Sequence, residues 1–237
     1  MNWQRACSKR RFSRQHLCKA GRGTGLSLLR PGPPPDAELL IEAGGLYLRP
    51  PIMGDYKAWS VLRSDSRAFL TPWEPLWPSD DLTKSGFRRR LRRYARDRKE
   101  GRSLSFLLFN ARNDELLGGL TLSNIRRGVS QSATLGYWMG ERHAGKGHMS
   151  AAVAMILPFC FDVLNLHRIE AACIPTNTPS IRLLENVGFN REGYARNYLL
   201  INGSWQDHLL LACLSEDFAA RPRTLTPVVE GILKDFL

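Results

Sequence analysis

The residues Arg142-His143-Ala144-Gly145-Lys146-Gly147 stand between a strand-like segment, Thr134-Leu135-Gly136-Tyr137-Trp138-Met139, and an apolar run with helical spacing. Glycines at 145 and 147 leave no side chain to block close approach, and the first turn of a helix leaves its amides unpaired, so this corner bares N–H groups suited to a phosphate. Gly145, Lys146, Gly147, His148 and Met149 supply those amides; Arg142 opens the loop, and Lys146 adds charge if its side chain turns inward and is otherwise a solvent-facing tip. The third glycine and downstream acid of a dinucleotide fingerprint are missing, as is the Gly-Lys-Ser/Thr ending of a nucleotide-triphosphate loop, so neither ligand is favoured. A second segment follows the helix: Arg168-Ile169-Glu170-Ala171-Ala172-Cys173-Ile174 reads as a strand, Asn177-Thr178-Pro179-Ser180 as a helix start, and the helix runs into Val187-Gly188-Phe189.

These pieces need a scaffold, and the patterning predicts one. Strands are expected at Gly45 to Arg49, Leu104 to Phe109, Leu116 to Leu122, 134 to 139, 168 to 174, Tyr194 to Ile201 and Trp205 to Cys213. Turn residues in Asn110-Ala111-Arg112-Asn113-Asp114 join the second and third, and Asn202-Gly203 joins the last two. Helices are expected at Asp55 to Ser66 behind an acidic N-cap, at 80 to 100, at 147 to 164 and at 179 to 187. This is a mixed α/β sheet of about seven strands.

Length and charge bound the rest. A chain of 237 residues suits one domain with extensions, divided as a leader and Pro-rich linker over 1–44, a domain over 45–215 and a C-terminal extension over 216–237. Eight of the twelve excess positive charges lie in residues 1–35, which hold no acidic residue and end in Pro31-Gly32-Pro33-Pro34-Pro35. That leader reads as a disordered tail, with an RNA- or ribosome-binding arm, a targeting segment or an untranslated start as alternatives. From Phe87 to Lys99, Arg88, Arg89, Arg90, Arg92, Arg93, Arg96, Arg98 and Lys99 face a single acid, Asp97, which reads either as a solvated face or as a contact for RNA or a ribosome. Five cysteines form no Cys-x-x-Cys pair, and Cys160, Cys173 and Cys213 sit in apolar runs as expected for buried thiols in a reducing, cytoplasmic compartment. His143, His148, His167 and His208 share no metal-ligand spacing, so no metal is expected. The most apolar stretch, 149–166, is broken by Pro158, Asp162 and Asn165 and is too short to span a bilayer, so no membrane partner is expected.

The order of strand, glycine loop, helix, strand and Asn/Ser turn resembles the GCN5-related N-acetyltransferases. Phe69-Leu70-Thr71-Pro72-Trp73-Glu74-Pro75, His167-Arg168, Glu192-Gly193-Tyr194-Ala195 and Asn202-Gly203-Ser204-Trp205-Gln206-Asp207-His208 narrow the likeness to the ribosomal-protein-alanine acetyltransferases of the RimJ type, over roughly residues 45 to 215. The resemblance implies acetyl-CoA as cosubstrate, its pyrophosphate on the glycine loop, and a splayed wedge between the strands that flank the loop helix. It implies that the Trp138-Met139 strand end leaves a backbone N–H free for the thioester oxygen, while the Trp138 side chain packs in the core. Asn177 suits the pantetheine amides or a simple turn. Many relatives carry a tyrosine four residues before Gly188-Phe189 to protonate the leaving thiolate; Leu184 stands there, and the RimJ-like subgroup has a serine at the place of Ser180, which bonds the sulfur directly or through water, or caps the helix.

The base is less defined. Related alanine acetyltransferases place an acid before the tyrosine of the penultimate strand, but Asn197 precedes Tyr198 in this chain. Glu74, beside Trp73, is the first candidate, either accepting a proton through water or binding the substrate ammonium, and Asp207 is second, with a hairpin-strand hydrogen bond to the His208 region as its alternative. Tyr194, Asn197, Tyr198 and Asp207 would line the acceptor side. An α-amine of pKa near 7.7 to 8 is already roughly a tenth to a sixth neutral at pH 7, whereas a lysine amine near 10.4 is neutral to only about four parts in ten thousand. A weak base therefore favours an N-terminal α-amine, and the expected acceptor is the N-terminal alanine of a ribosomal protein. Two alternatives stand beside it: a catalytically weak coenzyme A-binding factor on ribosomes or RNA, and an acetyltransferase for a small amine.

Overall fold

A computed structural model describes residues 39–222 and 225–231. The apolar runs become the strands of one sheet: β1 Leu39–Ala43, β2 Leu46–Arg49, β3 Leu104–Asn110, β4 Glu115–Arg126, β5 Ser132–Met139, β6 Arg168–Cys173, β7 Asn190–Ile201, β8 Ser204–Leu214 and β9 Val228–Gly231. Their order is β7-β8-β6-β5-β4-β3-β2-β1-β9, and every neighbouring pair is antiparallel except β5 and β6. The expected mixed sheet is present and mostly antiparallel, as the likeness to the GCN5-related N-acetyltransferases implies, with nine strands in place of about seven. The two additional strands, β1 and β9, pair with each other. Leu39 to Ala43 had the sequence position of a linker, yet Leu39, Leu40 and Ile41 are almost fully buried; removing three adjacent apolar side chains from water favours sheet over coil. The basic leader and its prolines lie outside the described residues.

Helices cover both faces: α1 Tyr56–Asp65, α2 Arg67–Leu70, α3 Lys84–Lys99, α4 His148–Pro158 and α5 Thr178–Val187, followed by a short α6 Ser215–Ala219. Side chains alternate across a strand, and β3 shows the result. Phe106 and Leu108 enter the larger core with Met155, Ile156 and Phe159 from the α4 segment, while Leu107 and Phe109 enter a second core with Trp59 and Leu62 of α1 and Phe87 of α3. A strand buried on both faces has no polar alternation, which is why Phe106 to Phe109 reads as a continuous apolar run.

Three local expectations are corrected. Asp55 does not cap α1 through its side chain; its carboxylate is held by Arg49 at 2.6 and 2.8 Å and accepts the Ile52 N–H at 2.8 Å, because a buried arginine requires a charged partner. The helix expected over 147 to 164 ends at Pro158 and continues as a wider turn, Phe159–Val163, in which Leu164 N donates to Phe159 O. Proline has no N–H for the i−4 carbonyl, so the ladder shifts there. The basic helix starts at Lys84 and not near 80, with the Thr83 hydroxyl accepting the Gly86 N–H, while Asp80 and Asp81 fold back to pair with Arg89 and Arg90. Among the described residues no helix is long and apolar enough to cross a membrane.

Candidate active site

β5 and β6 run parallel but stay paired only from Ser132 to Thr134 and from Arg168 to Glu170. β5 continues to Met139 and β6 to Cys173, so beyond the paired residues the strands part and leave a wedge. Polar groups of β5 on that side have no ladder partner. Gly140 N donates to Leu117 O in β4; since successive N–H groups of a strand point to opposite edges, the Met139 N–H points away from β4 and into the wedge. This is the free strand-end amide that the sequence placed at Trp138-Met139. The Trp138 indole lies on the opposite face, half-buried against the second core. It fits because Gly119 lies beneath: a Cβ there would stand 2.5 Å from the indole nitrogen.

The glycine corner follows directly. Gly145 and Gly147 have φ of 71° and 79°, in the left-handed region that side chains disfavour, and a Cβ at either would meet nothing within 4 Å. Gly147 is the N-cap of α4, and no side chain caps that helix. The amides from Gly147 through Ser150 thus have no intrahelical acceptor and open onto free space at the positive end of the helix dipole. Met149 is buried, His148 and Ser150 half-buried, and Lys146 exposed, so Met149 can contribute its backbone and not its side chain. Arg142 serves the foot of the loop: its Nε donates to His143 Nε2 at 3.0 Å and a guanidinium nitrogen lies 3.4 Å from Glu115. Burial pushes the His143 pKa down, which keeps its ring neutral and able to accept that bond.

At the other wall of the wedge, Asn177 is the N-cap of α5, its side-chain oxygen accepting the Ser180 N–H at 3.2 Å. The capping alternative weighed for Ser180 therefore belongs to Asn177, and the Ser180 hydroxyl takes no part in capping. It lies 2.7 Å from the Tyr137 hydroxyl, which crosses the wedge from β5, and 3.3 Å from Cys173 Sγ. Tyr137 went unrecognised in the sequence because nothing local links it to a residue 43 positions later.

A cavity of about 470 Å³ opens on the α1/α3 face of the sheet and reaches Gly136, Tyr137 and Trp138 on β5. Glu74 lies in its wall. Both Glu74 oxygens are held by Arg63, at 2.7 and 2.6 Å, and one also accepts from the Trp77 indole at 2.8 Å. The Arg63 guanidinium is sandwiched between Trp77 and Trp138, at 4.1 and 4.9 Å from the ring centroids, a cation–π arrangement that fixes its plane. The Glu74 backbone is anchored as well, its carbonyl accepting the Asn202 N–H from the β7–β8 turn at 2.9 Å. Arg63 and Trp77 were missed in the sequence, although Trp77 stood in the same Trp-Glu-Pro-Leu-Trp-Pro run; Trp73, named from that run, does not line the cavity.

The remaining acceptor-side residues sit apart. Tyr194, Asn197, Tyr198 and Asp207 lie on the β7–β8 hairpin and none lines the cavity. Asp207 accepts from the Tyr194 hydroxyl at 2.6 Å and from the Asn197 N–H at 2.8 Å, which holds its pKa below the usual carboxylate range. Asn197 takes φ 47° where the β7–β8 register shifts, so Asp207 holds the bulge through Tyr194 and Asn197 and not through a bond to the His208 region. Tyr198 packs edge-on to His208 at 5.7 Å.

The mixed sheet and its flanking helices agree with what the chain is similar to. The acetyltransferase (GNAT) domain family matches residues 45–190. The chain is 36% identical over 178 residues to the probable N-acetyltransferase YjcK of Bacillus subtilis, covering 75% of this chain and 98% of that protein. It is 36% identical over 169 residues to the [ribosomal protein uS5]-alanine N-acetyltransferase of Escherichia coli, covering 70% and 87%. Among solved structures, Mycobacterium smegmatis RimJ in complex with CoA-disulfide superposes with a TM-score of 0.71 at 33% identity, over 83% of this chain and 98% of that one. The chain belongs to the GNAT family, an N-acetyltransferase with acetyl-CoA as its cosubstrate.

Proposed function

We propose that this enzyme acetylates the N-terminal α-amine of a protein, the N-terminal alanine of a ribosomal protein in the cytoplasm first among them. The observation that carries this reading is the cavity in which Glu74, clamped by Arg63 and Trp77, faces the wedge edge of β5. The likeness to the uS5-alanine enzyme supports the same acceptor.

The open corner at Gly145 and Gly147 fits a diphosphate, and its amides with those of Lys146, His148 and Met149 would seat the donor so that the acyl group enters the wedge. The Met139 N–H takes the charge that develops on the thioester oxygen when the amine attacks, a contribution that grows only as the transition state forms. Ser180 donates a hydrogen bond to the departing sulfur. Asn177 keeps the Ser180 turn in place, and its amide nitrogen remains for the pantetheine arm. Glu74 accepts three hydrogen bonds of about four available; one lone pair remains to hold the acceptor ammonium or to take its proton through water. No enzyme-bound acyl intermediate is involved, and the transfer is direct.

Three arginines, Arg63, Arg90 and Arg93, share the cavity wall with two acids, Glu74 and Asp81, a charge balance that suits a peptide N-terminus better than a polyamine. The test is thiol release from acetyl-CoA with an Ala-starting peptide, the same peptide with a blocked N-terminus and a free lysine, and a polyamine. The expected result is turnover of the free α-amine alone, with kcat/KM rising as pH approaches the amine pKa of about 8. Turnover of the polyamine or the blocked peptide at equal rate overturns the reading.

A second contact is favoured by α3. Arg88 and Arg92 are exposed one turn apart, and Arg89, Arg93, Arg96 and Lys99 continue the same basic surface. Like charges at i, i+4 cost a helix stability, and phosphate contact offsets that cost. RNA titrations across salt are expected to give a binding slope that falls by about two in Arg88→Glu/Arg92→Glu; an unchanged slope leaves α3 a solvated face.

A further inference from the structure

The Ser180 hydroxyl carries one proton and two lone pairs, and two side chains of the wedge lie within bonding distance of it. Tyr137 Oη stands 2.7 Å from Ser180 Oγ, and Cys173 Sγ stands 3.3 Å from it on the other side. Burial pushes the Tyr137 pKa well above its ordinary 10 and pushes the Cys173 thiol up as well, so both groups keep their protons at neutral pH. Each then has a hydrogen to give to Ser180 Oγ. Either partner can donate in each contact, and Tyr137 Oη also lies 3.5 Å from the Ser180 carbonyl; in the arrangement where Tyr137 and Cys173 both donate to Oγ, its lone pairs are filled and the Ser180 proton points out of the cluster.

We propose that Tyr137 and Cys173 are positioning residues for acyl transfer: they orient the Ser180 O–H so that it donates to the sulfur of the departing coenzyme A thiol. The inference rests on the role of Ser180 stated above and extends it to two residues that no part of the acyl-transfer chemistry had used. When the bond between the acyl carbon and sulfur breaks, its electron pair stays on sulfur, and the thiolate accepts the Ser180 hydrogen bond. The proton lost by the amine leaves through Glu74 or water, so the cluster neither gains nor loses one. A thiolate of pKa near 8.5 is too weak a base to take the Tyr137 proton, which makes the phenol a permanent donor and not the general acid that many relatives place four residues before Gly188-Phe189. Leu184, at that place, is fully buried. The hydrogen bond reaches the sulfur from Ser180, about one turn earlier on the same helix α5, instead.

The experiment compares kcat and KM on an Ala-starting peptide for Tyr137→Phe, Ser180→Ala and the double variant, with acetyl-CoA and with its selenoester analogue. Tyr137→Phe removes one oxygen and is expected to lower kcat about tenfold while KM for acetyl-CoA stays within about twofold. In the Ser180→Ala background the same change should cost nothing further, because its effect passes through Ser180. The selenoester, whose leaving group needs less stabilisation, should shrink both single losses. Cys173→Ala is the second variant, expected to fall about threefold in kcat and to recover in Cys173→Ser, which restores a donor. Losses that multiply in the double variant, an unchanged kcat in both Tyr137→Phe and Cys173→Ala, or a rise in KM alone overturn the inference. Full activity of Ser180→Ala removes the Ser180 role itself and the inference with it, whereas a slow Ser180→Ala beside a fully active Tyr137→Phe and Cys173→Ala defeats the inference only.

Discussion

Gly147→Val weakens coenzyme A binding by about a hundredfold, roughly 2.7 kcal/mol, while the sheet stays folded. Gly147 holds φ at 79° as the N-cap of α4, a conformation in which a β-branched residue costs on the order of 1–3 kcal/mol. The chain can relieve that strain only by rotating the peptide planes on either side, which swings the Gly147 and His148 amides out of the open corner. A branched side chain would also project into the space where a Cβ now meets nothing within 4 Å, the space a diphosphate needs. Calorimetry with coenzyme A, beside thermal melting by circular dichroism, separates the two effects. Gly147→Ala should fall between the variants, having the strain without the bulk. Wild-type affinity in a folded Gly147→Val would show that the phosphates sit elsewhere.

Glu74→Gln lowers kcat/KM for an Ala-starting peptide by about a hundredfold and leaves the coenzyme A affinity unchanged. Glutamine keeps the shape and one carboxylate-like oxygen for Trp77 or Arg63, but it cannot neutralise an ammonium or take up a proton. Arg63 is 6% exposed, so the substitution also leaves a buried guanidinium with a neutral partner, and stability should fall. Arg63→Met separates the terms: it strands Glu74 without its bidentate partner, and breaking a pair of this kind costs about 3–5 kcal/mol. If Glu74→Gln retains full kcat/KM at pH 7, Glu74 has no part in handling the amine and serves only to hold Arg63 between Trp77 and Trp138. Raising the pH toward 9 should recover much of the lost rate if Glu74 acts on the proton, because the amine is then mostly neutral by itself. It should recover little if Glu74 acts by binding the ammonium.

These two residues mark how far the sequence could be read. Gly147 was recognisable because its requirement is local: a left-handed N-cap with free amides is a property of a few adjacent residues. The Asn202-Gly203 hairpin and the Asn177 turn were legible for the same reason, and both glycine and asparagine adopt the positive φ at the hairpin, 45° at Asn202 and 79° at Gly203. Glu74 was recognisable only as a carboxylate in the right run. Its clamp required Arg63 from α1 and Trp138 from β5, and no spacing rule connects those three. Asp207 shows the reverse case. It had the type of a catalytic acid, and its carboxylate is taken up by Tyr194 and Asn197 within its own hairpin.

From residue order alone came most of the strand and helix content, the open glycine corner and the expectation of a weakly basic acceptor amine, because hydrophobic periodicity, backbone permissiveness and ordinary pKa values belong to short segments or single groups. Only tertiary structure decided that β1 and β9 join the sheet, that β5 and β6 part after Thr134, that the aromatic beside Glu74 is Trp77, and that Tyr137 meets Ser180 across the wedge. Each of those is a contact between residues brought together by burial, whose energy depends on what lies opposite and therefore on the whole fold.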